Sequence, residues 1–270
     1  YMGIYDAIVK LLIVFLISVL TFDKLKIYSV LMAIMHMSAR LIPVAYTIRH
    51  YHETRLRCYF NRNSFADMSK FIGWNFVSTS LFILNDQGIN MLLNMFFGPA
   101  VNAARAVSVQ VKNSISNFAM GFFTAVRPQI VKSYAIGDNH RFIELVFNSG
   151  KYTFYLLWLI CLPVMVRIDN ILNFWLKNTP DWTGEFVVWI LIFNLINSSL
   201  CDPIWQGMQA IGKLNKFVLI GSLVYLIAFP VTWITFKYDG SPLLAFQILV
   251  YIRLAYFIVT IHIFKNYIYF

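Results

Sequence analysis

Asp86, Asn90 and Asn94 recur at steps of four within a run that is otherwise mostly apolar. Residues four apart share a helix face, so a carboxylate and two amides form one stripe. Asn85, Gln87 and Gly88 add a polar break at the same level. The next run carries Asn102, Arg105, Lys112 and Ser116 at steps of three, seven and four, again one face. One acid and two cations buried among amides can pair with each other, line a route for a charged solute, or hold an anion. They cannot do acid–base catalysis, because no second carboxylate is placed beside Asp86. His50 and His52 lie in a basic loop, while His36, His140 and His262 are isolated. Cys58, Cys161 and Cys201 are far apart and form no zinc or disulfide spacing. There is no P-loop, no G-x-S-x-G and no H-E-x-x-H. The sequence therefore points away from an enzyme and offers no metal site and no bound cofactor.

The elements that position these residues follow from composition. Of 270 residues, 59% are hydrophobic, 17% aromatic and only 13% charged. Mean hydropathy is +0.66. A soluble domain carries about 25% charged residues, and one soluble core cannot hide this much apolar surface. The aromatic content also excludes disorder. The expected fold is all-α, a polytopic transmembrane helical bundle. A span needs about 20 apolar residues, which gives about eight. They fall near 7–22, 27–48, 68–97, 101–126, 152–166, 186–204, 217–236 and 243–264. Pro43, Pro163 and Pro230 are expected to kink their helices.

The net charge of +10 would suggest nucleic acid on a soluble protein. Here the basic residues cluster between apolar runs, as in cytoplasmic membrane loops, so no nucleic-acid partner is expected. Arg49, Arg55, Arg57 and Arg62 follow the second span. Arg127, Lys132, Arg141 and Lys151 follow the fourth, and Lys213 and Lys216 follow the sixth. These alternate loops fall on one side, which the positive-inside rule makes cytoplasmic, with both termini there too. The chain opens on Tyr1 and runs straight into an apolar stretch without a signal-peptide pattern, which reads as a fragment lacking its N-terminal part. Phe142, Leu145 and Val146 follow helical spacing with Arg141 and Glu144 between them, the pattern of an amphipathic helix beneath the bundle.

The third and fourth spans meet at a tight turn around Gly98-Pro99. In an antiparallel hairpin folded there, Asp86 lies at the depth of Lys112. The register predicts an Asp86–Lys112 ion pair near the membrane centre, with Arg105 as surplus positive charge. Such a pair either pins the packing or lines a transport route; several amides on the same stripe favour the route. Arg40 and Arg253 are the other deep cations. Asp202, beside Pro203, reads as a solvated terminus or cap at the end of its span.

Residues 85–138 resemble polysaccharide flippases of the Wzx type, within the multidrug/oligosaccharidyl-lipid/polysaccharide exporter superfamily that includes the MATE-like transporters. The resemblance rests on GIN at 88–90, on FFGPAVNAARA ending at Ala106, and on TAVRPQIVKSYA at 124–135. It implies a twelve-helix, two-lobe transporter of which this chain is the C-terminal two-thirds. Residues 1–48 would be the last two helices of the N-terminal lobe, 49–67 a basic cytoplasmic linker, and 68–270 the C-terminal six-helix lobe. It implies movement of undecaprenyl-diphosphate-linked oligosaccharide repeat units across the bacterial inner membrane by alternating access, for O-antigen, lipopolysaccharide, capsule or exopolysaccharide synthesis. Arg105, Lys112 and Arg253 would attract the diphosphate, and Asn90, Asn94 and Asn102 the sugar hydroxyls. Asp86 would couple H+ or Na+, or stay paired with Lys112. A polysaccharide polymerase and glycosyltransferases of the same pathway would be partners. A multidrug cation antiporter of the same superfamily is the alternative, but it would want a surplus of acid in its cavity. A membrane polysaccharide polymerase would want a long polar outer loop, and the longest here is about Arg167–Glu185.

Overall fold

In a computed structural model, residues 2–19, 24–51, 62–176, 179–212 and 214–268 are described. Among them every regular element is helical, as expected. The helices are α1 (Met2–Val19), α2 (Lys24–His50), α3 (Arg62–Phe97), α4 (Pro99–Ile136), α5 (Asn139–Val166) and α6 (Ile168–Trp175). Then follow α7 (Thr183–Ile196), a π-helical turn (Asn197–Cys201), α8 (Asp202–Ile211), α9 (Leu214–Leu226), α10 (Ala228–Lys237) and α11 (Leu243–Ile268).

Five runs among the described residues are long and apolar enough to cross a membrane: Lys26–His50, Asn139–Val166, Thr183–Ile211, Phe217–Lys237 and Leu243–Tyr267. The protein is therefore a helical membrane protein. At 36 and 38 residues, α3 and α4 outrun the length of a span. Their polar stripes are what keep them below the apolarity of the other five. α5 is one helix of 28 residues. The amphipathic segment predicted around Phe142 is the first half of this helix, and Phe142 and Val146 are fully buried.

Chain contacts divide the protein into two units, Tyr1–Phe65 and Ala66–Phe270. In the first, α1 packs on α2 and the hydroxyls of Tyr5 and Ser38 bond at 2.8 Å. α2 runs on through Pro43. Most of the predicted basic linker, residues 52–61, lies outside the described residues, and α3 starts at Arg62.

The second unit is held by three apolar clusters. One gathers Leu93 of α3, Ala104 of α4, Phe186 of α7, Phe236 of α10 and Phe246 of α11. Another gathers Ile115, Leu157, Cys161, Leu172 and Leu191 from α4 to α7. The third gathers Ile130, Phe142, Met208, Phe217 and Phe264 near the opposite helix ends. Between the first and third clusters, α4, α7–α8 and α11 also carry the polar residues Lys112, Ser116, Asn194, Asn197, Asp202 and Arg253. The helices end where the chemistry demands it. Gly98 adopts φ 83° just before Pro99, and Gly137 adopts the same φ to close α4. Asp138 then caps α5 by accepting from the Arg141 N–H at 3.0 Å. The run from α9 to α10 breaks at Ile227, just after Leu226, whose carbonyl would accept from the N–H that Pro230 lacks.

One close approach is tight enough to test. A Cβ on Gly150 would lie 2.4 Å from the backbone oxygen of Ser199 in the π-helical turn. That wall is main chain and cannot swing away. Gly150→Ala should push α5 off the turn and lower stability by about 2 kcal/mol. Thermal unfolding of the detergent-purified protein reads this directly, and an unchanged midpoint would refute the contact.

Candidate functional site

The site is built on α3 and α4. Arg105 is buried, 6% exposed at its side chain, and its Nη2 donates to Asp86 Oδ1 at 2.7 Å. Its Nη1 donates to the backbone carbonyl of the same residue at 3.3 Å. The expected Asp86–Lys112 pair is thus replaced by Asp86–Arg105. Matching depths along a hairpin places backbones, not the ends of long side chains. Arg105 crosses the offset and donates to both a carboxylate and a carbonyl through two arms of one planar fork. The Asp86 carboxylate remains 57% exposed, facing a cavity of about 320 Å³.

Lys112 lines that cavity too, together with Gln87, Trp189 and Tyr225. Seven residues turn an α-helix by about 700°, so Lys112 falls within about 20° of Arg105. Among the described residues it makes no salt bridge. It also lines a second cavity of about 350 Å³ with Asn113, Ser116, Asn194 and Asn197. Lys112 therefore stands where two polar spaces meet. Ser116 donates to Asn194 Oδ1 at 2.8 Å.

The second cavity ends on Arg253 of α11 and on Asp202, which also line a third space of about 230 Å³. Arg253 is 9% exposed. Its Nη2 donates to Asn197 Oδ1. The Asn197 amide in turn donates to both oxygens of Asp202, each at 3.2 Å. The Arg253 guanidinium lies 4.4 Å from the Tyr256 ring centre and 5.8 Å from those of Phe193 and Tyr225. Aromatic faces and one amide thus hold this cation, with its nearest acid one residue removed.

Asp202 is a correction. It is not a solvated terminus: the helical run continues to Ile211, and the residue is engaged by Asn197 and lines two cavities. The π-helical turn puts it there. An inserted residue shifts the hydrogen-bond ladder, so the Asp202 N–H reaches the Asn197 carbonyl.

The predicted amides fare differently from the cations. Asn90 and Asn102 are half-buried and Asn94 is exposed, and none of them lines these three cavities. Each step of four residues rotates a side chain by about 40°, so Asn94 has turned about 80° from Asp86. Asn194, Asn197 and Asp202 supply the polar wall in their place. Their steps of three and five through an apolar run were the available signal, blurred by the π-helical turn. Among the described residues no group of three His, Cys, Asp or Glu could hold a metal ion. Comparisons with protein-family models, with curated proteins and with solved structures find no match.

Proposed function

We propose that this chain is the substrate-moving part of a polysaccharide flippase of the Wzx type. It would carry undecaprenyl-diphosphate-linked oligosaccharide across the bacterial inner membrane by alternating access, with the basic loops cytoplasmic. The observation that supports this is Lys112. Arg105 has Asp86, and Arg253 has its aromatic cage and reaches Asp202 through Asn197. Lys112 makes no salt bridge among the described residues and stands at the junction of two cavities. A diphosphate would complete it by charge-assisted hydrogen bonds. The aromatic and amide walls nearby (Trp189, Tyr225, Asn113, Asn194) suit sugar faces and hydroxyls. A cavity for organic cations would have the opposite balance.

The test is transport by the reconstituted chain. Liposomes carrying it and a polyprenyl-diphosphate oligosaccharide are probed with a lectin that reads only the outer leaflet. Lys112→Gln should slow appearance of the sugar by about tenfold or more, and Lys112→Arg should restore most of it. Wild-type rates in Lys112→Gln would overturn the reading. So would transport of organic cations that Lys112→Glu accelerates.

A further inference from the structure

The three polar cavities share no lining residue with a fourth space of about 340 Å³ on another face of the bundle. This one is a groove. Its walls are Phe147, Phe154 and Tyr155 of α5, Leu200 and Pro203 beyond them, and Phe257 of α11. Its floor is Gly150, where α5 meets the π-helical turn. Phe147, Phe154 and Tyr155 are exposed, as are Trp158 and Leu159 further along α5. All three contributing helical runs are long and apolar enough to span a membrane. Around such helices the solvent is lipid, so hydrocarbon fills a groove that opens on their outer face.

The groove has a length and a charged end. From Val146 to Tyr155 is nine residues, about 14 Å of helix, close to half of a 30 Å hydrocarbon core. That is the depth of one leaflet. Counting about 20 residues back from the Arg167 end of α5 puts the headgroup level near Phe147. Lys151 lies one turn deeper in the groove wall and is exposed. Side chains on a helix lean toward its N-terminus, so a long lysine from this position reaches the headgroup level. Lys151 has no salt bridge among the described residues. An apolar slot one leaflet deep, with a lone ammonium at its mouth, matches one acyl chain and one phosphate.

The geometry points to a binding site for an anionic phospholipid, its acyl chain between α5 and the Leu200–Pro203 wall and its phosphate on Lys151. The site has a consequence for the polar cavities. Ser199 and Leu200 face the groove, whereas Asn197 and Ser198 of the same π-helical turn line the second cavity. A lipid seated in the groove braces the turn that carries Asn197 to Arg253. This inference needs only the membrane-spanning helices and stands whether or not the chain moves saccharides.

The whole chain, purified in detergent, is titrated with dioleoyl phosphatidylglycerol and separately with dioleoyl phosphatidylcholine, and bound lipids are counted by native mass spectrometry. The wild type should bind one phosphatidylglycerol about fivefold more tightly than phosphatidylcholine, the scale of one lysine at an anionic headgroup. Lys151→Gln should erase that preference and leave phosphatidylcholine unchanged, and Lys151→Arg should keep it. Leu200→Trp narrows the slot and should weaken both lipids. Equal binding of the two lipids by the wild type would overturn the site. So would an undiminished preference in Lys151→Gln, or a Leu200→Trp variant that binds both lipids as before.

Discussion

Asp86→Asn should destabilise the protein by about 2–3 kcal/mol, and the double variant Asp86→Asn/Arg105→Met should recover most of that loss. The two partners are unequally placed. Arg105 is 6% exposed at its side chain and Asp86 is 57%. Neutralising the acid leaves a buried guanidinium with only a carbonyl at 3.3 Å and an amide oxygen in place of a carboxylate. Losing one member of a buried pair costs about 3–5 kcal/mol, chiefly as the penalty on the charge left behind. The cavity facing Asp86 admits water, and solvent screening lowers the figure. Removing both charges abolishes that penalty, because methionine fills much of the arginine's volume with apolar atoms. Arg105→Met alone should cost less than Asp86→Asn, since the stranded carboxylate is solvated. A double-mutant cycle on thermal unfolding in detergent isolates the coupling. A double variant less stable than Asp86→Asn would show that the pair is not what holds these helices.

The same residues show how far a sequence reading reaches. Helical periodicity in α3 and α4 locates the polar stripe, because rotation per residue is a property of the backbone. It places Arg105 and Lys112 on one face, and both line the first cavity. Gly98 and Gly137 mark turns legibly, since φ 83° is open to glycine and few other residues. The partner of Asp86 is not legible in this way. Which cation reaches it depends on side-chain length and on how two helices cross, and neither is written in the spacing. Asp202 is hidden for another reason. A hydropathy profile ends the sixth span near Pro203, and nothing local announces the π-helical turn that carries the helix on to Ile211. The Arg253 cage is only partly local: Tyr256 is one turn away on the same helix, but Tyr225 and Asn197 come from two other stretches of chain, and only folding brings them to it.

Arg253 should tolerate no substitution well, lysine included. Its guanidinium is flat, sits 4.4 Å from the Tyr256 ring centre, and donates to Asn197 along an edge. A planar, weakly hydrated ion can stack and donate at once. A compact ammonium keeps its hydration and gives up one of the two. Arg253→Lys should therefore lose about 1–2 kcal/mol, the scale of a desolvated cation–π contact. Arg253→Gln should lose about 3 kcal/mol, because Asp202 then keeps the Asn197 amide but loses the guanidinium to which that amide links it. Asp202→Asn/Arg253→Gln should regain part of that loss, as removing both members of a distant pair does. The ordering tests the arrangement more sharply than any single value. If Arg253 served only as positive charge lining the cavity, lysine would replace it without cost. If it served only to fill space, glutamine and lysine would cost alike and the Asp202 variant would add to the damage. A guanidinium held by aromatic faces and linked to Asp202 through Asn197 requires the graded series, with glutamine worst, lysine intermediate and the double variant between them. Thermal unfolding of the four proteins in one detergent, with lectin-read transport alongside, separates the three cases.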